Sequence, residues 1–174
     1  MGAMERPATV ARDSPATHGA ASGARTLVIG YGSPIRGDDA IGPLAAEALA
    51  AGPLPWGSRV LARHVLTAEL TEDLAAADRV VFLDACVDGE PGEVRVRELA
   101  ADASAVSTMA HFHDPRELLA WCETLYGRAP RAWLVSVAGR SFDYASYRLS
   151  PPVAAAVAAM LGEARRLIEG PPPP

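Results

Sequence analysis

Between residues 25 and 169 the apolar positions follow two rhythms that alternate along the chain. Short continuous apolar runs at 25–30, 79–85 and 132–138 have the length and β-branched content of buried strands, and a further run at 59–65 has the same character. Between them lie segments with apolar residues at helical spacing. One runs from about Ala40 to Ala51 with Ile41, Leu44, Ala45, Ala48 and Leu49 on one face, and a shorter one from about Ala68 to Ala77. Residues 93–99, where valine alternates with charged residues, read as a half-exposed or edge strand. A helix is expected from Pro115 to about Tyr126, with Asp114 as its N-cap and Leu118, Leu119, Cys122 and Leu125 facing the core. A last helix is expected from Pro151 to about Glu169, capped by Ser150. Strands and helices alternating in this way predict an α/β three-layer sandwich, with a mainly parallel twisted sheet of about five strands flanked by helices. Sites in such sheets gather at the carboxyl ends of the strands. That directs attention to the segments after the first strand, after the third, and after the Val/Arg strand.

The flanks differ. Residues 1–24 are rich in Ala, Gly, Ser, Thr and Pro without an apolar period, and residues 170–174 are Gly followed by four prolines. Both read as disordered tails around a single domain spanning 25–169. The chain of 174 residues is 49% hydrophobic and 21% charged, ordinary values for one globular domain. A net charge of -5, with scattered arginines, argues against a nucleic-acid partner. No apolar run is long enough to span a membrane, and Cys86 and Cys122 lack CxxC spacing, so a cytoplasmic protein with reduced thiols is expected.

Candidate chemistry starts in the segment GYGSPIRGDDAIG, residues 30–42. Gly30 and Gly32 open a dinucleotide-type pattern, but its third glycine position holds Ile35 and no P-loop lysine follows. Two carboxylates, Asp38 and Asp39, stand instead where phosphate would have to sit. One acid at a helix start is accounted for by capping and the helix dipole, whereas adjacent acids invite a cation. Asp84 closes the third strand and either accepts backbone N–H groups or ligates. His111 and His113 precede the Pro115 helix. Two carboxylates and an imidazole from different strand ends would make an N/O donor set for a divalent transition metal.

Four ordered segments, VIGYGSPIRGDDAIG, LTAELTEDLAAADRVVFLDA, TMAHFHDPRELL and SFDYASYRLSPPV, resemble the [NiFe]-hydrogenase maturation endopeptidases across nearly the whole span from Arg25 to Glu169. The resemblance implies an endopeptidase that removes a C-terminal extension from the immature, nickel-loaded hydrogenase large subunit, and it implies metal ligands, doubling as catalytic residues, at Asp39, Asp84 and His111. His111 is favoured because it lies eight residues before Leu119, with His113 the other candidate. The nickel is implied to arrive with the substrate; zinc or cadmium could occupy the same donors in vitro. Cleavage could use a metal-polarised carbonyl or a carboxylate base, and HExxH and GxSxG patterns are absent. Ser33 departs from the asparagine usual in the family. It keeps open a non-proteolytic, metal-dependent binding or chaperone module for a hydrogenase subunit. The protein is expected to act as a monomer.

Overall fold

The computed structural model describes residues 25–105 and 113–170, and all statements of structure refer to these. The expected tails at 1–24 and 171–174, and the expected ligand His111, lie outside them. In chain order the elements are β1 (Thr26–Tyr31), a 3-10 turn (Gly37–Ala40), α1 (Ile41–Ala50), β2 (Ser58–Arg63), α2 (Leu70–Ala76), β3 (Arg79–Cys86), β4 (Val94–Leu99), α3 (Pro115–Tyr126), β5 (Arg131–Ala138) and α4 (Pro151–Glu169). The strands form one sheet in the order β2-β1-β3-β5-β4. The first four of these neighbours are parallel, and β4 pairs antiparallel with β5 at the edge.

Side-chain alternation along the strands divides the core between two faces. Val28, Val81, Leu83, Val135 and Val137 pack with α1 and α4 through Ile41, Leu49, Val153 and Met160. Leu27, Ile29, Val80 and Phe82 pack on the other side with α2 and α3 through Leu70, Leu74, Leu118 and Leu119. The three-layer α/β sandwich with its mainly parallel sheet is therefore as the sequence pattern predicts.

Local departures have identifiable causes. On α1, Leu44 is 45% exposed and Ala48 is exposed, while Gly42, Pro43 and Ala46 are buried, so the buried face is rotated from the expected one. The rotation follows from a close crossing of β1 and α1. A Cβ on Gly42 would collide with the carbonyl oxygens of Tyr31 and Leu83, and one on Gly30 with the Gly42 carbonyl, so these two glycines let helix and sheet backbones touch. On α3, Leu125 is 65% exposed because the helix end at Gly127, in the left-handed conformation, already leaves the core. Asp114 caps α3 as expected, its carboxylate accepting from the Arg116 N–H at 2.8 Å. Ser150 occupies the N-cap position of α4 without capping it by its side chain; the hydroxyl is used elsewhere. Finally, β4 runs against its neighbours, so its carboxyl end lies at the opposite end of the sheet from those of β1 and β3.

Candidate active site

A cavity of about 540 Å³ opens at the carboxyl ends of β1, β2 and β3. Tyr31, Gly32, Ser33, Arg36 and Asp39 come from the segment that ends β1 and enters α1; His64 and Leu66 follow β2; Asp84 and Val87 come from β3 and just beyond it. His113 enters from the foot of α3 and Phe142 from the loop after β5.

The neighbouring aspartates have different places. Asp38 is 0% exposed and does not cap α1. Its carboxylate accepts from the backbone N–H of Arg140 (2.7 Å), Ser141 (2.9 Å) and Ser150 (2.6 Å) and from the Ser150 hydroxyl (2.8 Å). Burial alone would raise its pKa; the donors from Ser141, Ser150 and Arg140 outweigh it and hold the carboxylate below its ordinary value. Asp38 therefore belongs to the fold, tying the loop after β5 to the turn before α1.

Asp39 turns the other way, into the cavity. Its Oδ2 accepts from the Ser33 backbone N–H at 2.8 Å, and its Oδ1 has no donor among the described residues. The bond uses the backbone of residue 33, not its side chain. Gly32, at φ 139°, makes the turn possible, since a side chain there would strike the Asp39 carbonyl.

Asp84 lines the same cavity, accepting from the Ala85 N–H at 2.8 Å and hydrogen-bonded to the Tyr31 phenol. Burial, with smaller contributions from the Asp39 and Asp114 charges, outweighs those bonds and pushes its pKa up to about 8. Tyr31 is raised in turn, by burial and then by the Asp84 charge. Its ring is held edge-on to Phe82 at 6.4 Å between centroids. A carboxyl of this kind takes up either a proton or a cation, and a cation binds by displacing the proton.

His113 reaches the cavity with its backbone N–H directed to the Leu66 carbonyl. Its Nδ1 lies 3.0 Å from the Glu117 carboxylate one helical turn on, and its ring packs on Trp121 at 4.6 Å between centroids. A carboxylate at one ring nitrogen fixes an imidazole's orientation and leaves the other nitrogen for chemistry.

Of the predicted site residues, the structure thus brings Asp39 and Asp84 together and adds His113, while His111 lies outside the described residues. Among the described residues no group of three or more His, Cys, Asp and Glu side chains is close enough to hold a metal ion. The two carboxylates nevertheless suit a hard or borderline divalent cation. Sequence reasoning missed His64, Tyr31 and Phe142. Tyr31 and His64 were findable, since both stand at or just past the end of a strand, and Phe142 lies inside the segment SFDYASYRLSPPV. Cys86 bonds by its Sγ to the Asp88 carbonyl at 3.3 Å and is not part of the cavity wall.

The strand ends of this α/β sandwich present two carboxylates, Asp39 and Asp84, and two imidazoles, His64 and His113, to one cavity. The fold is shared with hydrogenase maturating endopeptidase HybD from E. coli at 26% identity and a TM-score of 0.67, over 80% of this chain and 89% of that one. It is shared also with the hydrogenase 2 maturation peptidase from Thaumarchaeota archaeon SCGC_AB-539-E09, at 27% identity and a TM-score of 0.62, over 80% of this chain and 95% of that one. The [NiFe] hydrogenase maturation protease HycI from Thermococcus kodakarensis KOD1 has the same fold at 24% identity and a TM-score of 0.68, over 86% and 96% of the two chains. No protein-family model and no curated protein matches the sequence. These likenesses bear out the resemblance carried by the four motifs: the chain has the architecture of the hydrogenase maturation endopeptidases, which are hydrolases of peptide bonds.

Proposed function

We propose that the protein is an endopeptidase that removes a C-terminal extension from the nickel-loaded large subunit of a [NiFe]-hydrogenase. The observation that carries this reading is the convergence of Asp39 and Asp84 on one cavity, each oriented by a neighbouring backbone N–H. The nickel belongs to the substrate. Asp39 and Asp84 are the groups of this chain that recognise it, with an imidazole as third donor; His111 holds that role, and His113, anchored by Glu117, is its alternate. A bound divalent cation polarises a carbonyl and anchors the substrate chain.

The remaining work falls to the protein. A carboxylate oxygen facing the cavity, such as Asp39 Oδ1, accepts the proton of the attacking water, and the same proton is available to the leaving amine. In that sense the peptidase is of the aspartic type, assisted by the metal its substrate brings. The apolar rim of Val65, Leu66, Val87 and Phe142 limits water around the reacting bond. The enzyme acts as a cytoplasmic monomer; no helix among the described residues is long and apolar enough to cross a membrane.

The test is the intact mass of a co-expressed large-subunit precursor with and without nickel, using the native protein and Asp39→Ala. Loss of a C-terminal peptide only with nickel and only with Asp39 intact is expected. A nickel-dependent complex with unchanged precursor mass would overturn proteolysis and leave a binding module.

A further inference from the structure

Arg36 is the one permanent cation among the described residues that line the cavity. Its backbone is held on both sides. The Arg36 N–H donates to the Ser33 carbonyl at 3.3 Å, the Asp39 N–H donates to the Arg36 carbonyl at 3.2 Å, and residue 36 makes a parallel bridge to Ser146. The next two N–H groups, of Gly37 and Asp38, bond to the carbonyls of Ser146 (2.8 Å) and Ser141 (2.9 Å). The guanidinium, by contrast, has no acceptor among the described residues, and although Asp39 and Asp84 line the same cavity it forms an ion pair with neither. Arg25, Arg95, Arg116 and Arg131 hold carboxylates, and Arg63 and Arg165 donate to backbone carbonyls. A half-buried arginine on a rigid backbone, beside two carboxylates that it does not neutralise, is placed for an anion that arrives from outside.

Resting on the reading above, we propose that Arg36 is a catalytic residue of the peptidase, whose guanidinium donates to the carbonyl oxygen of the scissile peptide bond. As water adds to the carbonyl carbon, the C=O π pair moves onto that oxygen and the water proton passes to a carboxylate. The oxygen becomes an anion, which Arg36 stabilises. When the pair returns, the C–N bond breaks, the amine takes the proton held by the carboxylate, and a carboxylic acid, which keeps the second water proton, and an amine leave. Hydrolysis needs an electrophilic donor as well as a base, and the apolar walls around Arg36 strengthen its hold on developing charge. The Ser33 N–H, a backbone donor that also lines the cavity, is already committed to Asp39.

The experiment is steady-state cleavage of the nickel-loaded precursor by the native protein, Arg36→Lys and Arg36→Gly, with guanidinium ion added to the last, alongside thermal melting and precursor affinity. Arg36→Gly is expected to lose about 10²- to 10³-fold in kcat with KM within about twofold. Added guanidinium should restore part of that rate, and Arg36→Lys, which keeps the charge without the fork, should fall in between. The rescue separates chemistry from folding, because a collapsed loop is not rebuilt by a small cation. A rise in KM with kcat unchanged, a wild-type rate in Arg36→Gly, or a loss without rescue in well-folded Arg36→Gly and Arg36→Lys would overturn the proposal while leaving the peptidase reading intact. A native protein that binds the precursor without cutting it would remove both.

Discussion

Adjacent, chemically identical residues take opposite duties here. Asp38 and Asp39 are consecutive in a 3-10 turn, where successive side chains diverge by about a third of a revolution. One is sent into the protein and the other into the cavity. Asp38→Asn is expected to cost about 3 kcal/mol, because an amide offers a single uncharged acceptor to donors from Arg140, Ser141 and Ser150 and brings an NH₂ among them. Asp39→Asn keeps an oxygen to accept the one bond at the cavity wall, from the Ser33 N–H, and loses only the charge, so it should change stability by less than about 1 kcal/mol while abolishing nickel-dependent cleavage. Urea midpoints together with precursor mass separate the two; equal stability losses would contradict the division of labour. The sequence showed that an acid pair stood at a helix entrance. It did not show which acid faced inward, since that depends on a loop about a hundred residues away in the chain.

At the level of elements, the site depends on how close α1 comes to the sheet. Gly30 and Gly42 allow backbone contact between β1, β3 and α1, and this fixes where the turn carrying Arg36 and Asp39 sits above the strand ends. Gly42→Ala places a methyl group against two carbonyl oxygens and should cost about 3 kcal/mol, with a second effect on cleavage through displaced Asp39. Calorimetric melting and kcat would report the two effects; a fully active, equally stable variant would show that α1 can shift without consequence. The helical period of α1 announced an amphipathic helix, but Leu44 lies on its exposed side because glycine-mediated contact, rather than side-chain bulk, chooses the buried face. Hydropathy counts glycine as nearly neutral and so misses this.

Across the whole molecule, the cavity end of the sheet is balanced by a charge clamp at the opposite end. Asp78 accepts from the side chain and backbone N–H of Arg25, at the entrance to β1, and from Arg128, before β5. The bonds from Arg25 lower its pKa, against a smaller opposing effect of burial, and Arg128 adds to the lowering. For a carboxyl depressed on folding, the stabilisation is fully present above the unfolded value near 4 and is lost as pH falls through the lower folded value. Solvent at this exposed cluster limits the contribution to about 1 kcal/mol. The difference in urea stability between native protein and Asp78→Asn should therefore be about 1 kcal/mol at pH 7, hold to about pH 4, and close below it. A gap that is unchanged at pH 2 would mean that shape, not charge, sets it. Cleavage at neutral pH should be untouched, since the clamp is remote from Asp39 and Asp84.

The alternation of strand and helix, the parallel sheet, the Asp114 cap and the positions of Asp39 and Asp84 at strand ends were all legible in the sequence, because each is set by local periodicity or local stereochemistry. Tertiary structure alone decided that Asp38 is structural, that β4 runs antiparallel, and that Tyr31, His64, Arg36, His113 and Phe142 share one cavity. Those facts depend on contacts between segments far apart in the chain, and such contacts leave no period in the sequence. A chain's rhythm determines which elements form, while the closing of distant loops around strand ends determines which side chains meet.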